Sequence, residues 1–186
     1  NLTEAISWIE SQVRFKPKAD LDRMKVAYIM LDIDLTQVKK IHVAGTNGKG
    51  SVCAYLTTIL MKGGYKVGTF TSPYLVRFNE RIRYQFEEIE DQELFELIHT
   101  IYTFNQTFEK SYGESLSFFE LLTLMSLYYF DRKKVDVIVM EVGIGGLLDA
   151  TNILNYDVSL ITSIGFDHMK QLGNTLQSIA SNKLGI

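Results

Sequence analysis

Two kinds of apolar pattern alternate along the chain, one at helical spacing and one in short unbroken runs. In residues 3–14, Ile6, Ile9 and Val13 fall on one side, Thr3 is placed to cap, and Lys16-Pro17-Lys18 breaks the run. From about residue 20 to 31, Leu21, Met24, Ala27, Tyr28 and Leu31 make a second inward stripe. Residues 39–44 read as a short strand. After a glycine-rich loop, Val52, Tyr55, Leu56, Ile59 and Leu60 recur at i, i+3, i+4, i+7 and i+8, and Gly63-Gly64 ends that helix. Residues 65–70 predict a second strand that closes in Thr71-Ser72-Pro73, and residues 77–83 a polar, solvated loop containing Arg77, Arg81 and Arg83. A helix follows over about 90–110 with Leu94, Leu97, Ile98, Ile101 and Phe108 inward, then a connection over 113–117. Another helix is marked by Phe118, Leu121, Leu122, Met125 and Tyr129, whose stripe reads as core before it reads as ligand contact. Residues 135–140 are almost continuously apolar, as a central strand covered on both faces should be. Residues 157–162 predict one more strand, and 174–184 a last helix.

Strands alternating with helices predict an α/β fold, a mostly parallel sheet flanked by helices, with ligands at the carboxyl ends of the strands. The strand ends carry chemically capable residues: the glycine loop, Ser72, Glu141 and the pair Asp167-His168. Scattered in sequence, they should converge on one edge of the sheet. The loop over 45–51 sits between strand and helix, where glycines turn amides toward an anion and a helix N-terminus and Lys49 add positive charge. Its spacing departs from the usual P-loop. Val43 stands where the first glycine would be, Gly50 follows the lysine directly, and Ser51 comes one place late. Other residues should therefore supply a magnesium ligand.

Glu141 closes a buried strand, where a carboxylate needs a partner: magnesium, or in the plainer reading a lysine. Ser72 is a hydroxyl beside it or a plain turn; His168 is a metal or phosphate ligand or a structural histidine; Lys183 is by default a surface lysine. Cys53, the one cysteine, reads as a small buried filler and fits a reducing, cytoplasmic setting. With 46% hydrophobic and 22% charged residues the composition is that of a globular protein. A net charge of −3 argues against nucleic acid or a membrane surface as partner. No apolar run approaches the roughly 20 residues that would span a membrane. Both ends look cut, and a monomer is expected. The residues alone thus point to a magnesium-dependent ATP or GTP domain and leave the second substrate open.

A set of short motifs in order goes further. His42-Val43-Ala44-Gly45-Thr46-Asn47-Gly48-Lys49-Gly50-Ser51, Thr71-Ser72-Pro73, Phe78-Asn79-Glu80-Arg81-Ile82, Phe118-Phe119-Glu120, Glu141-Val142-Gly143-Ile144-Gly145-Gly146, Asp149-Ala150-Thr151-Asn152 and the run from Leu160 to His168 together resemble the folylpolyglutamate synthase and dihydrofolate synthase family of the Mur-ligase superfamily. The resemblance runs from about residue 40 onward. It implies ATP-driven phosphorylation of a carboxylate on a folate or dihydropteroate and attack by the amino group of L-glutamate. Thr46, Asn47, Gly48, Lys49, Gly50 and Ser51 would hold ATP. One Mg2+ would sit on Ser72 and Glu141, and a second would involve His168 and Lys183 as a carbamate. Lys49, Glu141, His168 and Lys183 are the expected catalytic set. Ser117, Phe118, Phe119, Glu120, Leu148, Asp149 and Ala150 would contact the folate or pteroate, and Leu147 stands where an arginine often follows the double glycine. Residues 1–186 would be the ATP-binding domain, 1–38 its helical lead-in, with the family's glutamate-binding domain absent and the isolated piece inactive. Another Mur-type amide ligase and a non-ligase nucleotide-binding regulatory module are the alternatives. The Gly-Lys-Gly-Ser loop and Phe-Asn-Glu-Arg-Ile favour the folate branch, and a guanine-reading Asn-Lys-x-Asp is not found.

Overall fold

The structure is a computed structural model that describes residues 1–14 and 20–186; the break expected at Lys16-Pro17-Lys18 lies outside the described residues. Helix α1 (Leu2–Glu10) starts one residue before the predicted run, because Asn1 and Glu4 form a reciprocal capping box that takes the place expected for Thr3. It ends before Val13, which is exposed. Helix α2 (Asp22–Met30) buries Arg23, Met24 and Ala27. Strand β1 (Lys39–Ala44) falls where the pattern places it.

Helix α3 (Lys49–Lys62) corrects the predicted face. Tyr55 and Ile59 are 69% and 66% exposed, while Cys53 and Thr57 are buried with Val52, Leu56 and Leu60 beside them. The reason is a polar pair that periodicity does not count. The Thr57 hydroxyl donates to the Cys53 carbonyl at 2.7 Å and meets the Thr69 hydroxyl at 2.6 Å, so both threonines are satisfied against the sheet.

Strand β2 (Val67–Phe70) is followed by a short 3-10 turn over Phe78–Arg81, strand β3 (Ile82–Tyr84) and strand β4 (Glu87–Glu88). The solvated loop expected over 77–83 is thus a buried turn and the first arm of a hairpin; Phe78, Asn79, Glu80, Arg81 and Ile82 are all buried. Its tip is Gln85-Phe86, both at positive φ (53° and 69°), a turn that normally announces itself with Asn or Gly. Helix α4 (Asp91–Tyr112) is closed by Gly113 at φ 90°. Helix α5 (Phe118–Lys133) opens with a Ser117–Glu120 capping box and is buried almost all round.

Strand β5 (Val137–Glu141) includes Glu141 as its last residue. Strand β6 (Val158–Ile161), helix α6 (Met169–Leu172) and helix α7 (Leu176–Lys183) complete the chain. The six-stranded sheet has the order β4-β3-β2-β5-β1-β6. β2, β5, β1 and β6 run parallel; β3 and β4 are antiparallel at one edge.

Alternation along the strands sorts the core to two faces. Val43, Val67 and Val139 meet Cys53 under α3. Phe70, Ile138 and Met140 join the larger cluster with α5, α4, α1 and α2, including Ile9, Met24 and Ala27. Gly68 lets α5 approach, since a Cβ there would lie 2.5 Å from the Phe130 ring. Among the described residues no helix is long and apolar enough to cross a membrane.

Candidate active site

Because the four parallel strands point the same way, their ends gather at one edge. A cavity of about 650 Å³ opens there. Of the residues singled out from sequence, Lys49, Ser72, His168, Ser117, Phe118, Phe119, Glu120, Leu148, Asp149 and Ala150 line it. Glu141, Lys183, Thr46, Asn47, Gly48, Gly50 and Ser51 are not among its lining residues.

The glycine loop is braced from the end of β6. Gly45 has φ 144°, and a Cβ there would stand 1.9 Å from the Thr162 hydroxyl oxygen. The Thr46 and Asn47 amides are engaged, donating to the Ser163 carbonyl at 2.9 Å and the Ser163 hydroxyl oxygen at 3.0 Å. The Thr46 hydroxyl donates to the Gly165 carbonyl and accepts from the Gly165 amide. Gly48, at φ 82°, opens α3 with no side-chain cap, so the first-turn amides of that helix are left without a capping acceptor.

Behind the loop, Glu141 is 4% exposed. One carboxylate oxygen accepts from the Ser72 amide at 3.0 Å, and the Lys49 ammonium stands 3.9 Å from the other. Burial raises the Glu141 pKa, and the Ser72 amide and Lys49 offset that only in part. Lys183 is buried and donates to the Gly45 carbonyl at 3.1 Å; burial first, then the charge of Lys49, lowers its pKa. His168 is half-exposed, with its Nε2 3.5 Å from Asp167. Among the described residues no three His, Cys, Asp or Glu gather as a metal cluster.

The opposite wall is built differently. Glu120 is gripped by Arg23 from α2 at 2.9–3.2 Å and accepts the Ser117 amide at 2.7 Å. Asp149 accepts from the amides of Gly143, Ile144 and Thr151 and from the Thr151 hydroxyl, which shapes the loop after β5. The Thr151 hydroxyl also meets Nε2 of buried His42 at 2.7 Å, and burial holds His42 down at a pKa of about 3. Cys53 is buried and its thiol is pushed up by burial, as a filler should be.

Arg14 and Arg23, which have no role in the sequence pattern, and Arg81, read there as part of a solvated loop, also line the cavity. Arg14 and Arg23 belong to the stretch read as a lead-in, and no local signal marks them. Arg81 lies within a quoted motif, so its signal was present.

The sequence matches the Mur ligase middle domain over residues 43–186. The chain belongs to the Mur ligase family. It is 40% identical over 184 residues to the dihydrofolate synthase/folylpolyglutamate synthase of Bacillus subtilis, covering 98% of this chain and 43% of that protein. It superposes on a solved FPGS-AMPPCP-folate complex with a TM-score of 0.94 at 36% identity, covering 100% of this chain and 45% of that one. On Escherichia coli FolC in complex with DHPP and ADP the TM-score is 0.85 at 38% identity, covering 99% of this chain and 43% of that one. The chain therefore spans less than half the length of these relatives. The six-stranded, mostly parallel sheet flanked by helices is the fold they share.

Proposed function

We propose that this chain carries the ATP-using part of a ligase that joins L-glutamate to a folate or dihydropteroate through an acyl phosphate. The carrying observation is the meeting, in one cavity, of Lys49, which stands 3.9 Å from the strand-end carboxylate of Glu141, with the Phe118 and Phe119 wall. Relatives of this fold that bind a nucleotide together with folate or DHPP support the same reading.

In this reading the open amides at the start of α3 and the Lys49 ammonium hold the β- and γ-phosphates. An oxygen of the acceptor carboxylate attacks the γ-phosphorus in line and ADP leaves. The glutamate amine then attacks the acyl carbon, phosphate leaves, and the amine gives up a proton as the amide forms. No protein nucleophile takes part. Phe118 and Phe119 offer an apolar wall for a pterin ring, with Ser117, Glu120, Leu148, Asp149 and Ala150 around it.

Glu141 suits a magnesium site. It is buried and under-compensated, and with the Ser72 hydroxyl it offers the few protein oxygens that Mg2+ takes beside phosphates and water. Such an ion would neutralise phosphate charge. His168 would hold a second. Lys183 fits that role only as a carbamate, and its lowered pKa favours the neutral amine that carbamylation requires.

The domain reading belongs to the same proposal: residues 1–186 as ATP-binding domain, 1–38 as its helical lead-in, and glutamate bound by a part of the relatives outside these residues. So does a monomeric, cytoplasmic protein without nucleic-acid or membrane partners. The test is incorporation of labelled glutamate into tetrahydrofolate or dihydropteroate with Mg-ATP by the full chain, with Lys49→Ala as control. Lys49-dependent incorporation is expected. ATP turnover without incorporation into either acceptor would point instead to another Mur-type ligase or a regulatory nucleotide-binding module.

A further inference from the structure

Arg81 is 7% exposed, and its Nε is buried without a hydrogen-bond partner. Among the described residues its guanidinium enters no hydrogen bond or ion pair, although it lines the cavity. What surrounds it is aromatic: the rings of Tyr74, Phe78 and Phe118 lie 4.9, 5.5 and 5.6 Å from its Cζ. Ring faces attract the cation but accept nothing in the guanidinium plane, so its in-plane donors stay free. Arg14, on the same cavity wall, stands 5.2 Å from the Phe118 ring. Of the two acids whose charge reaches Arg81, Glu10 accepts from the Tyr74 hydroxyl at 3.0 Å and Glu80 from three backbone amides. Burial draws the Arg81 pKa down, and Tyr74, Glu10 and Glu80 offset that only in part. A guanidinium in this state calls for an anion from outside the protein.

The cradle is preformed. Glu80 accepts the amides of Leu75, Val76 and Arg77 at 2.7–3.0 Å, which fixes the segment carrying Tyr74, Phe78 and Arg81. That segment begins directly after Ser72-Pro73, at the end where the acceptor carboxylate would react. A glutamate-terminated acceptor brings two carboxylates, only one of which reacts; a pteroate-type acceptor brings one. We propose that Arg81, supported by Arg14, binds the non-reacting carboxylate of a glutamate-terminated acceptor and so favours that acceptor over a pteroate-type one. This rests on the ligase reading for the identity of the acceptor, while the anion subsite rests on the geometry of Arg81. A planar, fork-like donor facing a carboxylate gives the two-point contact that a lysine cannot.

The test is direct binding, independent of turnover. The full chain, Arg81→Met and Arg81→Lys are titrated with folic acid, pteroic acid and ADP. The wild type should prefer folic acid to pteroic acid. Arg81→Met should weaken folic acid by about 10- to 100-fold, the range of a lost charged hydrogen-bond pair. Pteroic acid and ADP should stay within about twofold, because they lack the second carboxylate. Arg81→Lys should recover only part of the loss. The folic-to-pteroic ratio within one variant cancels any loss of folded protein. A ratio unchanged in both variants, an equal loss for both acids, a loss confined to ADP, or a wild type that binds neither acid would each overturn the subsite. A ratio that falls as expected in a protein that never incorporates glutamate would keep the subsite and remove the ligase reading.

Discussion

Glu120, in the cavity wall, and Glu141, beside the cavity residues Lys49 and Ser72, are two buried carboxylates, 6% and 4% exposed, and the fold treats them in opposite ways. Glu120 has a bidentate guanidinium at 2.9–3.2 Å and a backbone amide at 2.7 Å. Burial pulls the pKa of its partner Arg23 down, but the bond and charge of Glu120 outweigh this and leave it raised. Glu141 has one amide at 3.0 Å and an ammonium at 3.9 Å, and burial leaves its pKa raised. The first pair ties α2 to α5 and is complete. The second is left half-compensated. Buried charge that the protein satisfies by itself is framework, and buried charge left half-compensated marks where ligands belong.

Breaking the complete pair should have the largest effect. Glu120→Ala leaves Arg23 buried with the exposed Glu114 and the charge of Asp20, and should cost about 3–5 kcal/mol of unfolding free energy in urea titration. A loss under about 1 kcal/mol would show that the pair is not framework.

The network through His42 should come next. Its folded pKa of about 3 lies below the ordinary 6.5, so the unfolded chain binds the extra proton between those values. Stability is full above pH 6.5 and falls as pH drops. Between pH 6.5 and 5 this amounts to about 2 kcal/mol, which His42→Asn should remove from the pH slope.

Gly45→Ala sharpens the other end of the cavity. The positive φ and the Thr162 contact should cost about 1–3 kcal/mol in thermal melting and weaken ADP binding. Unchanged ADP affinity would detach the loop from the nucleotide.

The smallest effect belongs to Glu80, which its three amides hold at a pKa of about 2. A carboxylate lowered in this way contributes above pH 4.5 and fades as pH falls toward 2, so Glu80→Gln should flatten the acid limb of the stability profile.

The sequence made the parallel strands and their polar ends legible because strand and helix periods differ and the chain alternates them cleanly. Glu141 stood out as a charge closing an apolar run. The hairpin was hidden because Gln85 and Phe86 adopt positive φ without the residues that usually do so. The face of α3 was misread because Thr57 is buried through a partner, Thr69, on another element. Arg23 meets Glu120 across 97 positions, and Arg81 is enclosed partly by Phe118, so neither environment is local. Periodicity reports what one element does with water; it does not report which polar groups find each other across elements.

The central claim is tested most directly by Glu141→Gln, measured for both thermal unfolding and Lys49-dependent glutamate incorporation. The amide keeps an acceptor for Ser72 and removes the half-compensated charge. The account predicts unfolding within about 1 kcal/mol of wild type and incorporation reduced by about a hundredfold or more. A variant that unfolds early yet, where folded, ligates at the wild-type rate would make Glu141 framework like Glu120, and would contradict the account.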